Sequence, residues 1–467
     1  MENTGTLPSI QQEKNKWRIF AAVGIGSFMA ALDSNVVNTV LPVIRDYFGS
    51  AVANVEWTLV VYLLVVSSLL LAFGRLGDLQ GHKRIYATGF LIFVAASALC
   101  GLAPSVLFLV IARAVQALGA AMLFSNSPAI LTRSFPRQQR GQILGLQATM
   151  TYLGLTAGPS LGGWLAQSLG WRAIFYINVP IGLIAFGLSV AFIGADKPDG
   201  ESKEPFDWRG AVVFSAGLVI LLLGLDQGQS WGWLSVATLG CILSSLLLLG
   251  LFLRLELKSP APMLDLSLFK NRLFSACTAS ALINYICVSS ILFLLPFYLL
   301  QGRSYSPAEA GLILSSQPII MALAAPISGY LSDRLGSRLL STLGMAILGL
   351  GLFLLSRLGA DTSIGEIVSS LAVAGLGTGM FISPNNSALM GSAPRQRQGI
   401  ASGILATARN VGSVLGVGLA GAIFTSISSL PDSNALVKAV ETGLLAAAVI
   451  AGVGVFVSLV RGSKKAT

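Results

Sequence analysis

Two residues of opposite charge lie inside long apolar stretches of the chain, Asp33 and Arg113. An α-helix rises about 1.5 Å per residue. Asp33 therefore lies about 14 Å from the outer end of its predicted helix, and Arg113 lies about 12 Å from the start of its own. The two side chains can then lie at the same level along neighbouring helices. A carboxylate at that depth is costly unless it is paired or neutral. The two residues indicate either a proton-binding carboxylate that competes with a nearby arginine, or a static ion pair that fixes helix packing.

Other polar side chains in apolar stretches are candidates for binding a small molecule. Arg409 lies near the middle of such a stretch. Because arginine stays protonated, it can bind an anion or brace a helix interface, but it cannot carry a proton. Polar residues in membrane helices also serve simply to hold helices together. The candidates for substrate binding are Asn35, Asn38, Gln116, Asn126, Asn284, Tyr285, Gln317, Asn385 and Arg409.

The elements that must position these residues are membrane helices. Hydrophobic residues make up 54% of the 467 residues and charged residues only 11%, whereas soluble proteins contain about 25% charged residues. This composition excludes soluble, disordered, coiled-coil and disulfide-stapled proteins, and it leaves an all-α integral membrane protein. The single histidine and the four cysteines have no metal-ligand spacing, so we expect no metal site and no cofactor.

Fourteen stretches are long and apolar enough to cross a bilayer, and an even number places both termini on one face. Of the 30 Lys and Arg residues, 23 fall on that face, five on the other and two within spans. The positive-inside rule therefore predicts that both termini are cytoplasmic. The same placement explains the net charge of +10 without nucleic acid. Glu56 and Asp226 lie at the outer ends of spans, where we expect them to face water or the interface.

A repeat divides the chain into two halves. Residues 136–163 and 394–421 match at 11 of 28 positions without a gap. Six helices in 17–194 therefore correspond to six in 272–461, with a linker and two extra transmembrane helices in 195–271 and cytoplasmic tails at 1–16 and 462–467. Two parallel six-helix bundles around a central cavity are typical of transporters, although channels and scramblases also contain repeats.

Several segments resemble motifs of the major facilitator superfamily and, within it, of the fourteen-helix drug:proton antiporters. The loop after helix 2 reads GRLGDLQGHKR, similar to G-x-L-A-D-x-x-G-x-K/R, with Gly77 in place of alanine. Helix 5 contains GLTAGPSLGG, which fits the family's G-x-x-x-G-P-x-x-G-G. Helices 1, 4 and 6 contain LDSNVVNTVLP, ARAVQALGAA and GWRAIFYINVPIG, with small departures. The resemblance covers residues 17–460 and implies the major facilitator fold with two extra central helices.

The resemblance also implies roles for individual residues. Asp33 becomes the protonation site and Arg113 its modulator. A cytoplasmic latch between the halves is implied for Gly74, Asp78, Gly81, Lys83, Arg84, Asp333 and Arg338. We expect Asp78 and Asp333 at the starts of helices 3 and 11, where simple N-capping is the alternative.

The helix-5 motif is implied to form a close and bendable seam between the halves, and ordinary close packing is the alternative reading. Its small residues and its proline are Gly154, Gly158, Pro159, Gly162 and Gly163.

Together these observations predict a proton-coupled antiporter that exports amphipathic drugs or related small molecules by alternating access. The alternative is an exporter or flippase of a lipid or a specialised metabolite without proton coupling. The sequence has no phosphate-cradling loop for ATP and no catalytic cluster, so we expect neither an ATP-driven pump nor an enzyme. The expected partners are protons, a small amphipathic substrate and the lipid bilayer, with a periplasmic adaptor left open. The resemblance implies the cytoplasmic (inner) membrane.

Overall fold

The computed structural model describes residues 10–194, 204–232, 234–259, 261–359, 361–428 and 435–460. The ends of both expected tails, residues 195–203 of the linker and the side chain of Asp226 lie outside the described residues. The described chain forms fourteen long helices and no strand. They are α1 (Ile10–Phe48), α2 (Val52–Gln80), α3 (His82–Gly101), α4 (Val106–Ser134), α5 (Arg140–Leu169), α6 (Ala173–Phe192), α7 (Trp208–Trp231), α8 (Val236–Lys258), α9 (Arg272–Phe297), α10 (Pro307–Leu335), α11 (Ser337–Leu355), α12 (Ile364–Ser392), α13 (Gln398–Ser428) and α14 (Ala435–Leu459).

Thirteen of these helices are long and apolar enough to cross a bilayer, and α5 is the exception. It has 30 residues, the length of its neighbours, but glycines and polar residues lower its hydropathy. Its packing explains this composition, because α5 packs along its length between α1 and α10. A helix shielded from lipid needs small residues more than apolar ones. The prediction of fourteen membrane helices in an all-α fold is confirmed.

The two halves of the repeat form two helix bundles. In the first, α1 packs along α5 and α3 along α4; in the second, α9 packs along α13 and α11 along α12. The bundles meet along two helix pairs, α2 with α13 and α5 with α10. These pairs occupy equivalent positions in the repeat, so each bundle contributes the same two surfaces to the interface.

The two extra helices lie outside this arrangement. Helix α7 packs against both α2 and α13, and the Ser215 hydroxyl donates to the Ser68 carbonyl at 3.0 Å. Helix α8 packs mainly on α7 and exposes a row of leucines, including Leu243 and Leu247. The α7–α8 pair therefore covers one of the two seams between the bundles and turns an apolar surface toward the surrounding lipid.

Two glycines make the tightest turns between membrane helices. Gly81 joins α2 to α3 with φ of 96°, and Gly336 joins α10 to α11 with φ of 89°. Positive φ is disfavoured for residues with a Cβ, so glycine lets each helix end there and the next begin at once. The two turns are equivalent in the repeat and lie on the face at which α1 begins and α14 ends, here called the terminal face.

Candidate functional site

A cavity of about 1650 Å³ lies between the two bundles. Its lining includes Trp57 in the first turns of α2 and Leu312 in the first turns of α10, and both side chains are exposed. These helix starts lie on the face opposite the terminal face. No lining residue comes from the last turns of α2 or α10. The cavity is therefore open toward the opposite face and closed toward the terminal face.

Asp33 lies beside this cavity in a buried network of hydrogen-bond donors. Its Oδ2 accepts from Arg113 Nη1 at 2.6 Å, and its Oδ1 accepts from Gln116 Nε2 at 3.0 Å and Asn178 Nδ2 at 2.7 Å. The side chains of Asp33, Arg113, Gln116 and Asn178 are all buried. Three donors, one of them a cation, therefore satisfy both oxygens of a carboxylate that is shielded from water.

Arg113 stands between this carboxylate and the cavity. It is one of the residues that line the cavity, whereas Asp33 is not. The guanidinium also donates to the Thr58 carbonyl at 3.2 Å and packs over the Tyr62 ring at 4.1 Å. Its Nη2 atom has no hydrogen-bond partner among the described residues. A proton or a solute in the cavity therefore meets Arg113 and Tyr62 before it reaches Asp33.

The arrangement has two chemical states of different charge. With Asp33 ionised, the Asp33–Arg113 pair is neutral and each oxygen is hydrogen-bonded. Protonation of Asp33 removes one acceptor and leaves the Arg113 charge without compensation, and in a low-dielectric site this change is large. The pair can therefore convert the arrival of a proton into a change of charge at the cavity wall.

The sequence-predicted substrate residues fall into two groups. Five of them line the cavity: Asn35, Asn38, Tyr285, Gln317 and Arg409. The other four do not. Gln116 is buried against Asp33, and Asn385 donates to the Cys277 carbonyl at 3.2 Å. Asn284 is fully buried, and its amide has no hydrogen-bond partner among the described residues. Asn126 lies near the terminal face and contacts His82. Gln116, Asn126 and Asn385 bind other parts of the protein and Asn284 is enclosed by it, so none of the four is placed to touch a solute in this cavity.

Asp78 closes the terminal face, but from a different helix position than expected. The sequence placed it at the start of helix 3, whereas it lies in the last turn of α2, because α2 continues past the apolar run to Gln80. There it faces the beginning of α13 across the interface and accepts from the Gly399 amide at 2.8 Å and the Ile400 amide at 2.9 Å. A carboxylate of the first bundle therefore caps a helix of the second.

Asp333 makes the reciprocal contact. It lies in the last turn of α10, not at the start of helix 11, and accepts from the Gly141 amide at 2.8 Å and the Gln142 amide at 3.0 Å at the beginning of α5. Burial raises the free energy of each carboxylate, and the paired backbone donors offset that cost. The two caps are related by the repeat.

A glycine pair lies one helical turn from each of these caps. The Gly74 carbonyl oxygen occupies the space that a Cβ on Gly399 would need, and the Gly399 carbonyl oxygen occupies the space that a Cβ on Gly74 would need. Gly141 and Gly329 are related in the same way at the α5–α10 contact. A side chain at any of these four positions would force the helices apart. The glycines thus set the separation at which the Asp78 and Asp333 caps can form.

The other predicted latch residues do not join these caps. Lys83 donates to the Val190 carbonyl at 2.8 Å, and Arg84 and Arg338 are exposed and form no ion pair with the described residues. The basic partners of Asp78 are instead His82 at 3.4 Å and Arg133 at 3.5 Å. Gly81 contributes only the turn after α2. Position along the chain identified the latch loop but not which of its side chains point inward.

A linker residue that the sequence did not single out also joins the bundles. Glu204 contacts Arg75 in α2, and it contacts Arg397, just before α13, at 3.4 Å. Arg397 in turn contacts Asp265 at 3.6 Å. The hydrogen bond from Arg75, with Arg397 nearby, holds the pKa of Glu204 below its ordinary value. One carboxylate of the linker therefore binds an arginine from each half at the terminal face.

The glycines of the helix-5 motif pack within the first bundle, whereas the sequence placed them at a seam between the halves. A Cβ atom added to Gly154 would lie 3.0 Å from Ala31 of α1. One added to Gly158 would lie 3.1 Å from Asn35, and one added to Gly162 would lie 2.5 Å from Val36. Pro159 and Gly163 lie on the other side of the helix and line the cavity. The motif therefore joins α1, which carries Asp33, to the cavity wall.

Sequence reasoning missed Asn178, which donates to Asp33, and Tyr62, whose ring packs on Arg113. Asn178 is a lone amide in α6, directly after Ile177, where the helix is interrupted for one residue, and it lies within the stretch that resembles the family's helix-6 entry. An isolated amide in an otherwise apolar segment was the signal available for it. Tyr62 gave no such signal, since a tyrosine in a membrane helix is common.

Comparison with known proteins agrees with this architecture. The sequence profile described as Major Facilitator Superfamily matches residues 23–275 and 277–466. The riboflavin transporter RibZ of Clostridioides difficile is 34% identical over 88% of this chain and 89% of its own. The multidrug resistance protein Stp of Mycobacterium tuberculosis is 31% identical over 87% and 75%. The crystal structure of the human organic anion transporter MFSD10 superposes with a TM-score of 0.69 at 13% identity, covering 95% of this chain and 99% of that one. The chain therefore belongs to the major facilitator superfamily of multi-pass membrane transporters.

Proposed function

We propose that the protein exports amphipathic small molecules, drugs among them, in exchange for protons by alternating access. The observation that carries the proposal is the Asp33 network, a buried carboxylate held by Arg113, Gln116 and Asn178 at the wall of a large cavity. An ionisable residue inside a membrane segment is by default a candidate functional residue, and here it lies beside the transport cavity. Similarity to a multidrug resistance protein over 87% of the chain supports an exporter.

The proposed location is the cytoplasmic membrane, with the terminal face toward the cytoplasm as the distribution of lysines and arginines predicts. In that orientation the cavity faces outward, and the Asp78 and Asp333 caps seal the cytoplasmic side. A proton from outside reaches Asp33 past Arg113, and substrate leaves for the outside. The caps must then break before the cavity can open to the cytoplasm.

Proton binding and substrate binding are linked through the charge of Arg113 in this proposal. When Asp33 is protonated, the guanidinium loses its counter-charge and the cavity wall becomes more positive. When Asp33 releases its proton, the wall returns to neutral. The alternation changes the affinity for a solute in the cavity, which is the requirement for exchange. The proton gradient supplies the energy, so the scheme needs neither ATP nor a resident cofactor.

A second candidate is transport of a specialised metabolite. The similarity to a riboflavin transporter over 88% of the chain favours it. The cavity walls suit a planar amphiphile, since amides and hydroxyls alternate with aromatic and aliphatic side chains. Transport of this kind can proceed with or without proton coupling, so coupling must be measured separately from substrate choice.

The test is transport in proteoliposomes under an imposed pH gradient, with ethidium, riboflavin and fluorescein as three fluorescent solutes of different charge. Wild type is compared with Asp33→Asn and with Asp46→Asn, an exposed carboxylate of the opposite face. We expect the gradient to drive at least one solute in wild type and Asp46→Asn but not in Asp33→Asn. Movement of a solute that ignores the gradient would show that the protein is an uncoupled carrier, and equal driving in Asp33→Asn would show that Asp33 is not the coupling site.

A further inference from the structure

We infer that the inner end of the cavity holds a subsite for an anionic group attached to an aromatic ring, with Arg409 as its cation. The inference rests on the proposed transport function and specifies its substrate class. A cavity that binds lipophilic cations would instead need acidic or purely aromatic walls. The subsite is defined by Arg409, Tyr285, Tyr152 and Phe124, all of which line the cavity.

The charges around the cavity are unbalanced. Among its described lining residues, only Arg113, Arg409 and Glu56 carry a charge. Arg113 is neutralised by Asp33 at 2.6 Å. Arg409 has no carboxylate within 4 Å among the described residues, and its side chain is half-buried. The deepest cation of the cavity is therefore left without a counter-ion from the described part of the chain.

Glu56 lies too far from Arg409 to act as its counter-ion. Arg409 lies over the Phe124 ring at 5.3 Å, and Phe124 follows Arg113 by eleven residues of α4, about 16 Å nearer the terminal face. Glu56 is exposed in the first turns of α2, six residues and about 9 Å beyond Tyr62 toward the opposite face. The two charges are thus separated by most of the cavity's length, and a solute carboxylate beside Arg409 meets no nearby repulsion.

The surroundings of Arg409 suit an anion on an aromatic body. The Tyr285 hydroxyl interacts with the Arg409 guanidinium and with the Tyr152 hydroxyl, so a second polar group accompanies the cation. Phe124 and the two tyrosine rings form an aromatic wall around it. A carboxylate, phenolate or sulfonate accepts from the guanidinium and the hydroxyl while its ring packs on that wall.

Arg409 can also be explained as a brace that holds α13 against α4 through Phe124. The two explanations make different predictions. A brace affects stability and weakens all solutes alike, whereas a subsite weakens anions selectively. Solutes of one shape and opposite charge distinguish them.

The experiment measures binding to purified protein in detergent without any gradient, using the xanthene dyes fluorescein, which is anionic, and tetramethylrhodamine methyl ester, which is cationic. We expect wild type to bind fluorescein at least about tenfold more tightly. Arg409→Gln should weaken fluorescein about 10- to 100-fold, the loss of one charge-assisted contact, without weakening the cation. Arg409→Lys should restore part of the affinity, and Tyr285→Phe should cost a few-fold.

Arg357→Gln is the matched control, because Arg357 also lies over an aromatic ring, that of Phe353, but outside the cavity. Equal affinity of wild type for the two dyes, or equal weakening of both by Arg409→Gln, would overturn the subsite. Charge-selective binding without gradient-driven transport would leave the subsite intact and remove proton exchange. Gradient-driven export of ethidium but not of fluorescein would support proton exchange and overturn the anion subsite.

Discussion

The Asp333 carboxylate accepts a hydrogen bond from the Gly141 amide at 2.8 Å, and Asp78 does the same with Gly399 at an identical 2.8 Å. Each pair joins one bundle to the other, and in each the donor is at the beginning of a helix. The terminal face is therefore closed by two equivalent contacts between a carboxylate and a helix N-terminus. We expect this state of the protein to depend on the charge of both aspartates.

Asp333→Asn should shift the protein toward a state that is open at the terminal face. The amide keeps the shape but loses the charge that interacts with the α5 amides, a loss of about 1–2 kcal/mol or a 5- to 30-fold change in the population ratio. Spin labels at Gln80→Cys and Leu335→Cys, both exposed at the terminal face, report the change as a longer distance in a pulsed electron resonance experiment.

Asp46→Asn is the control for this experiment, since Asp46 is an exposed acid of the opposite face. Its label distances should match those of wild type. An unchanged distance distribution in Asp333→Asn and in Asp78→Asn would mean that glycine packing alone holds the terminal face closed.

Gly329→Ala should prevent closure of the same face. The new methyl group would occupy the space of the Gly141 carbonyl, and backbone cannot move aside without separating α5 from α10. We expect more than a tenfold loss of transport and longer label distances. Gly250→Ala is matched to it, because Gly250 also lies within a membrane helix and a methyl group added there would meet no atom of the described residues within 4 Å. Normal transport by Gly329→Ala would show that the two helices separate freely.

Asn178→Leu should lower gradient-driven transport about tenfold while solute binding without a gradient is retained. The variant removes one of the three donors that hold the buried Asp33 carboxylate in place. Asn385→Leu removes a buried amide far from Asp33 and serves as the control. An unchanged transport rate in Asn178→Leu, or an equal loss in both variants, would exclude Asn178 as a positioning residue for Asp33.

Glu204→Gln should weaken closure of the terminal face by a factor of about two to five, because the carboxylate is partly exposed and such pairs contribute little individually. Contact with Arg75 lowers the pKa of Glu204 below its ordinary 4.5. A lowered pKa in the paired state means that the contribution is fully present above about pH 4.5 and is lost as pH falls through the lowered value.

We therefore expect the label distances of wild type and Glu204→Gln to differ by the same amount at every pH between about 6 and 8. The difference should disappear only in strong acid. A difference that changes across the neutral range would mean that another titrating group controls this contact.

The proximity of Asp33 and Arg113 could be predicted because depth follows from residue counts along a helix of known rise. Which direction a side chain faces could not. The apolar residues of helix α4, for example, are spread around the whole helix, so its sequence does not indicate which face meets the cavity. For that reason Asn126 and Asn284 could not be separated from Asn35 and Gln317 before the structure was known.

The positions of Asp78 and Asp333 were misjudged for a different reason. The apolar run of each helix ends before the helix does, since the last turn extends into the polar layer and stops only at a glycine with positive φ. For this reason the sequence placed both residues at the start of the following helix. Their roles as caps depend on a partner helix more than 190 residues away in the chain, which local sequence does not reveal.

The crossed arrangement of the two caps has a consequence for the order of events. Asp78 belongs to the first bundle and caps the second, while Asp333 belongs to the second and caps the first. A rigid rotation that separates the bundles at this face must break both contacts together, because either one kept intact would require a helix end to bend. Opening is then a concerted step without a half-open intermediate, and the barrier it presents includes both contacts at once.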